Sequence, residues 1–159
     1  MFIIPDFLDD TNLLWPILPP GIWDADMNEI EARFVVNERR AFLFKGLKEG
    51  LNNLFKAGCP QIFLDGSYVT DKPSPNDYEV CWDTNFVDPD LLDPVFLVFD
   101  NEREKQKERY LGEYFPALLI EGNSGKPFLD FFQIDKHSGK QKGIIRLKNF
   151  LNTGGANDN

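Results

Sequence analysis

A chain of 159 residues with 42% apolar and 14% aromatic side chains has material for one domain with its own core, which excludes a large multidomain enzyme and a wholly disordered chain. Its 26 acids outweigh 17 bases, and the net charge of −9 argues against broad electrostatic binding to nucleic acid. Only two cysteines, Cys59 and Cys81, and one histidine, His137, are present, so a zinc site, a disulfide framework and nucleophile–histidine catalysis are all disfavoured. The first ten residues carry acids where a secretory leader carries bases, and no apolar run approaches the ~18 residues of a membrane span, so a cytoplasmic protein is expected.

In chain order, residues 1–25 are short apolar pieces broken by Pro5, Pro16, Pro19, Pro20 and Gly21, which predicts an extended arm packed on the domain, rather than a regular helix, with Trp15 and Trp23 as its anchors. Asp26 with Glu29 reads as a capping box opening a helix, and Asn37 opens a longer one reaching about Ala57, with Gly58 as its stop. Phe44, Leu47, Leu51, Leu54 and Phe55 form its apolar stripe. QIFLD, residues 61–65, suits a buried strand. Residues 77–83 alternate as a second strand, with Tyr78, Val80 and Trp82 on one face and Asp77, Glu79 and Cys81 on the other. Residues 88–100 read as a helical turn followed by an irregular or extended piece, and 101–115 as a charged surface helix. Two strands are predicted around a turn at Asn123–Gly125, the second over 128–134, and residues 143–147 either add a further strand or begin a helix. The polar tail, 151–159, is expected to fray. Helices mixed with short strands predict an α+β domain over 26–150 between an arm at 1–25 and that tail.

The segment LDGSYVTDKPSPNDYEV concentrates the chemistry. Gly66-Ser67 follows a predicted strand, where a bare backbone and a hydroxyl can approach a phosphate. Nine residues later Asp77 and Glu79, at i and i+2 of a strand, project two carboxylates to one side at a spacing that suits Mg²⁺ or Mn²⁺. A divalent ion there would bridge to the phosphates of a nucleoside triphosphate.

This Gly-Ser, nine-residue, acid-x-acid pattern resembles the signature of the minimal nucleotidyltransferases, the DNA polymerase β-like superfamily. The wider stretch, about 19–147, also resembles a bacterial family of uncharacterised proteins with that core. The resemblance implies a small mixed sheet flanked by helices, a nucleotide-phosphate site at Gly66 and Ser67, and a catalytic metal site on Asp77 and Glu79 completed by an acid from a later strand. The superfamily's second acid is Asp, and Glu79 places its carboxylate more than about one ångström further out. Asp130, read as mid-strand in PFLDFF, is the candidate third acid and catalytic base, with Asp135 as runner-up. Residues 136–157 hold five bases and no acid, against 12 bases and 25 acids in residues 1–135. Within that segment Lys140 and Lys142 are candidates for triphosphate binding, and a solvated strand and turn is the plainer reading. Tyr68 is a candidate for base stacking or for the core, His137 for a turn, and Cys81 for a buried filler. The expected function is nucleotidyl transfer to a protein acceptor rather than RNA, in a toxin–antitoxin or defence setting. The alternative is a catalytically silent protein of the same fold that acts through a protein partner.

Overall fold

The capping residues set the helices. In the computed structural model, which describes residues 2–151, the Asp26 side chain accepts from the Glu29 amide while Glu29 accepts from the Asp26 amide, and α1 (Met27–Phe34) follows. The Asn37 side chain accepts from the Arg40 amide at the start of α2 (Glu38–Lys56), and Gly58, at a φ of +102°, turns the chain out of the helix.

Five short strands form one sheet. They are β1 (Ile22–Asp24), β2 (Gln61–Asp65), β3 (Tyr78–Trp82), β4 (Gly112–Pro116) and β5 (Ile144–Lys148), in the spatial order β1-β5-β2-β3-β4. The outer pairs, β1 with β5 and β3 with β4, are parallel, whereas β2 runs antiparallel to both its neighbours. The molecule is thus a small α+β fold on a mixed sheet. Ile62, Leu64, Tyr78, Val80, Trp82, Tyr114, Ile145 and Leu147 form the sheet side of the main core, beneath the stripe of α2 and Ile30 and Phe34 of α1. On the other face Phe63, Cys81, Phe115 and Ile144 are covered by Phe128, Leu129 and Phe132, from and next to the short helix α4 (Phe128–Phe131). Tyr78, Val80 and Trp82 therefore face away from Glu79 and Cys81, as the alternation predicts.

Three expectations change. The arm is not separable from the domain, because Ile22–Asp24 joins the sheet beside β5, a run too short to carry a strand signal of its own. Trp23 packs on the main core and its indole N–H donates to the Pro19 carbonyl at 2.9 Å. The charged helix α3 (Asp100–Tyr110) is shorter than its composition suggests: Leu111, at a φ of +69°, ends it, and residues 112–116 become β4. Finally, residues 128–134 are not a strand. Phe128, Phe131 and Phe132 pack on one another at helical spacing and against Phe115, and one turn of helix satisfies that cluster. Residues 144–148 take the strand reading. Residues 152–159, most of the tail expected to fray, lie outside the described residues. Among the described residues no helix is long and apolar enough to cross a membrane.

One buried cation fixes the segment after β2. The Arg40 guanidinium donates to the carbonyls of Phe34, Tyr68, Thr70 and Lys72 at 2.6–3.2 Å, and the Tyr68 hydroxyl donates back to the Arg40 carbonyl at 2.9 Å. Arg40→Met leaves those buried carbonyls without donors and is expected to cost about 3 kcal/mol, about 10 °C in Tm. Arg40→Lys should recover only part of that loss, because an ammonium cannot span the four acceptors. Thermal unfolding followed by circular dichroism measures both, and an unchanged Tm in Arg40→Met would contradict this role.

Candidate functional site

A cavity of about 650 Å³ opens where β2 ends and β3 and β4 begin. Gly66, Ser67, Asp77 and Glu79, chosen from sequence spacing, all line it, together with Lys142. Gly66 and Ser67 open a 3-10 turn (Gly66–Val69) directly after β2. Gly66 has a φ of +78°, and a Cβ there would lie 2.2 Å from a Glu79 carboxylate oxygen, so only glycine lets that carboxylate lie against the backbone.

The acids form a row. Asp65 stands opposite Glu79 across β2 and β3, and Glu79 opposite Glu113 across β3 and β4, which puts three carboxyl groups on one face of the sheet. Asp77, half-buried, adds a fourth at the mouth of β3. Asp65 is fully buried and neither of its oxygens has a hydrogen-bond partner. Burial, reinforced by the Glu79 charge, raises its pKa well above the ordinary carboxylate value. Burial, together with the charges of Glu113 and Asp77, pushes Glu79 up to about 8. Glu113 is raised by burial and by the Asp77 charge, stands beside Glu79 across β3 and β4, and has the Lys107 ammonium 3.8 Å away. Asp77 is raised by burial while Lys107, Lys72, Lys136 and Arg39 pull it back.

Lys142 is the buried cation facing this row. It is 9% exposed, its charge lowers the pKa values of both Asp65 and Glu79, and among the described residues no carboxylate lies within 4 Å of its ammonium. Lys140 does not join it, since its ammonium pairs with Asp10 of the arm and lies outside the cavity lining. Arg146 pairs with Asp24 at 2.7 and 3.0 Å and does not line the cavity.

Asp130 is not the third acid. It is exposed on α4 and lines an adjoining cavity of about 390 Å³ that shares Lys126, Ile134 and Lys142 with the main one, because the helical turn that packs Phe128 and Phe132 on Phe115 turns the residue between them outward. Asp135 borders the main cavity, but its carboxylate is engaged by the Ser138 amide and hydroxyl at 2.9 and 2.7 Å, the turn role expected for it. Glu113 takes the place Asp130 was expected to fill. Its signal was available: once Leu111-Gly112 is read as a helix stop, GEYFP alternates as a strand with the acid on the Glu79 side. Asp65 is legible in the same way, as the acid ending an apolar strand directly before Gly66. Tyr68 belongs to the core and Cys81 is buried, its thiol pushed well above its ordinary pKa by burial and by Asp65.

The donor set suits a hard divalent cation, being carboxylates only, and the proton that burial keeps on Glu79 is one a cation would replace. As they stand, no three His, Cys, Asp or Glu side chains among the described residues converge tightly enough to enclose a metal. Loading would therefore require deprotonation and rotation of Glu79 or Glu113.

The raised acids set a pH dependence. The folded chain keeps Glu79 protonated up to about pH 8 and the unfolded chain only to about its ordinary 4.5, so the native state binds more protons in between and stability falls as pH rises through that window. In buffer free of divalent cations, Glu79→Gln should melt about 3 °C or more above the parent at pH 8 and about level with it at pH 4.5, about 1 kcal/mol of relief. Equal Tm differences at both pH values would show that Glu79 is ionised in the native state.

Comparison with known proteins places the chain without assigning an activity. No curated protein and no solved structure matches it. Residues 10–148, which include the cavity-lining residues from Trp15 to Lys142, match a family of unknown function, DUF6932, and the chain belongs to that family.

Proposed function

We propose that this is a nucleotidyltransferase-like protein that binds a nucleoside triphosphate with Mg²⁺ or Mn²⁺ and transfers a nucleotidyl group to a hydroxyl of a protein acceptor, the new bond to the α-phosphorus replacing the bond to pyrophosphate, which leaves. The observation that carries the reading is the convergence of Gly66-Ser67, Asp77 and Glu79 with Lys142 in one cavity, from positions spread over 77 residues of chain. A volume of about 650 Å³ lies within the range that takes a ligand of nucleotide size. Ser67 offers its hydroxyl and Gly66 its unobstructed backbone to phosphate oxygens. Lys142 brings to the same place a buried positive charge that lacks a close carboxylate. Asp77, Glu79 and Glu113 would hold the cation, which would supply charge neutralisation at the triphosphate. With Asp130 removed from the site, Glu113 is the carboxylate placed to accept a proton from an attacking hydroxyl. The setting expected from the resemblance, a toxin–antitoxin or defence module, belongs to the same proposal.

A second reading, a silent protein of this fold acting through a partner, draws on Glu79, which burial and its acidic neighbours hold protonated up to about pH 8, so that it resists taking a cation. The two readings separate on transfer of label from an α-labelled triphosphate to co-purified protein, which only the first predicts.

Binding is tested by thermal unfolding with millimolar ATP, GTP, CTP or UTP, each with and without Mg²⁺. At about 100-fold excess over Kd a ligand of the native state adds about 2.7 kcal/mol, so a rise of about 5–10 °C is expected with nucleotide and metal together. Asp77→Ala should abolish the metal-dependent part. Absence of any shift with all four nucleotides would overturn the proposal.

A further inference from the structure

We infer that Trp15, on the N-terminal arm, is the stacking platform for the base of the bound nucleotide, an inference that rests on the reading above. The indole lines the cavity that holds Ser67, Asp77 and Glu79, yet it takes no part in either hydrophobic cluster of the fold. A half-buried tryptophan outside the core, set in the wall of a cavity, is a flat apolar surface without a packing role. The other aromatic rings there are committed elsewhere: Phe131 and Phe132 pack on each other, Phe132 also on Phe115, and Tyr68 is fully buried.

Trp15 is held where a ligand needs it. Its neighbour Pro16 accepts a hydrogen bond from the Asp71 amide at 2.9 Å, Ile17 bridges to Leu8, and Asp10 pairs with Lys140. The arm is thereby tied to the segment that follows Ser67. Beside the indole the Lys72 ammonium lies 4.9 Å from its ring centre, and the His137 ring stands edge-on at 6.1 Å. Lys72 lines the same cavity as Asp77, and its charge lowers the Asp77 pKa. A triphosphate gives Lys72 a stronger partner than an indole face, and the ammonium's move onto phosphate bares that face to the base. Binding thus exchanges a cation–indole contact for a base–indole stack. Because every base has a flat face, the platform accepts any of the four nucleotides.

The test uses the full chain with Mg²⁺, titrated with ATP and separately with inorganic tripolyphosphate, followed by calorimetry and by tryptophan emission. ATP should quench the emission of the parent protein. Trp15→Phe should lose the quench, since Trp82 and Trp23 pack in the core, and bind ATP within about threefold of the parent. Trp15→Ala should bind ATP about tenfold or more weakly and tripolyphosphate unchanged, the signature of a lost base stack. Unaltered ATP affinity in Trp15→Ala, or equal losses for ATP and tripolyphosphate, would overturn the stacking role while leaving nucleotide binding intact. If the parent binds neither ligand, the functional reading itself fails, and the platform with it.

Discussion

Arg40 is the interaction on which the placement of the site depends. Its side chain lies inside the protein, and its partners are four backbone carbonyls, three of them in the segment that runs from Tyr68 to Lys72. Burial lowers its pKa, yet a guanidinium retains its charge under all ordinary conditions, so the cost of enclosing it is offset only by keeping every donor engaged. The consequence is geometric. The segment cannot shift relative to α2 without stranding a buried charge. The same segment begins with Gly66 and Ser67 and continues into the Asp71 amide that holds the arm. One side chain near the start of a helix therefore fixes the Gly66-Ser67 wall of the cavity and, through Pro16, the position of Trp15.

The second constraint is the carboxyl row, which a fold selected only for stability would avoid. One step along the same sheet face, Phe63, Cys81 and Phe115 occupy the positions adjoining Asp65, Glu79 and Glu113 and pack as an ordinary apolar cluster. The pattern changes from apolar to acidic where the cavity begins. Burial raises all three acids, with the Glu79 charge adding to the effect on Asp65 and those of Glu113 and Asp77 to the effect on Glu79, while Lys142 answers Asp65 and Glu79 and Lys107 lies 3.8 Å from Glu113. Stability is spent to keep these groups together, as expected of a site built for something other than packing.

Much of this was legible in the chain. The capping residues Asp26 and Asn37 mark the first two helices because a side-chain oxygen at a helix start has a local, sequence-visible job. The alternation of residues 78–82 sorted Glu79 and Cys81 from the core face, and the Gly-Ser to acid-x-acid spacing drew four cavity residues from a nine-residue gap. What was not legible depended on contacts distant in sequence. Ile22–Asp24 is a strand only because β5 lies beside it. PFLDFF carries spacings compatible with strand or helix, and the Phe115 ring, thirteen residues earlier, decides for the helix and turns Asp130 outward. Arg40 reads in sequence as one more charge on a helix surface, and nothing local announces four carbonyls waiting for it.

The net charge of −9 acquires a different meaning at the cavity. Its lining holds Asp77, Glu79, Glu113 and Asp135, but also Lys72, Lys126, Lys136 and Lys142, so an acidic protein is locally balanced at the one place where the carboxyl row opens. Carboxylates alone would repel a polyphosphate, and lysines alone would hold it without drawing in a cation. Neither set accounts for the other if the cavity is only a surface depression, because four lysines could neutralise the acids by pairing with them. Lys142 does not: although nearly buried, it keeps its ammonium more than 4 Å from every carboxylate among the described residues. A charge held apart from its available partners inside a fold is a costly arrangement, and the proposed polyphosphate would offset that cost.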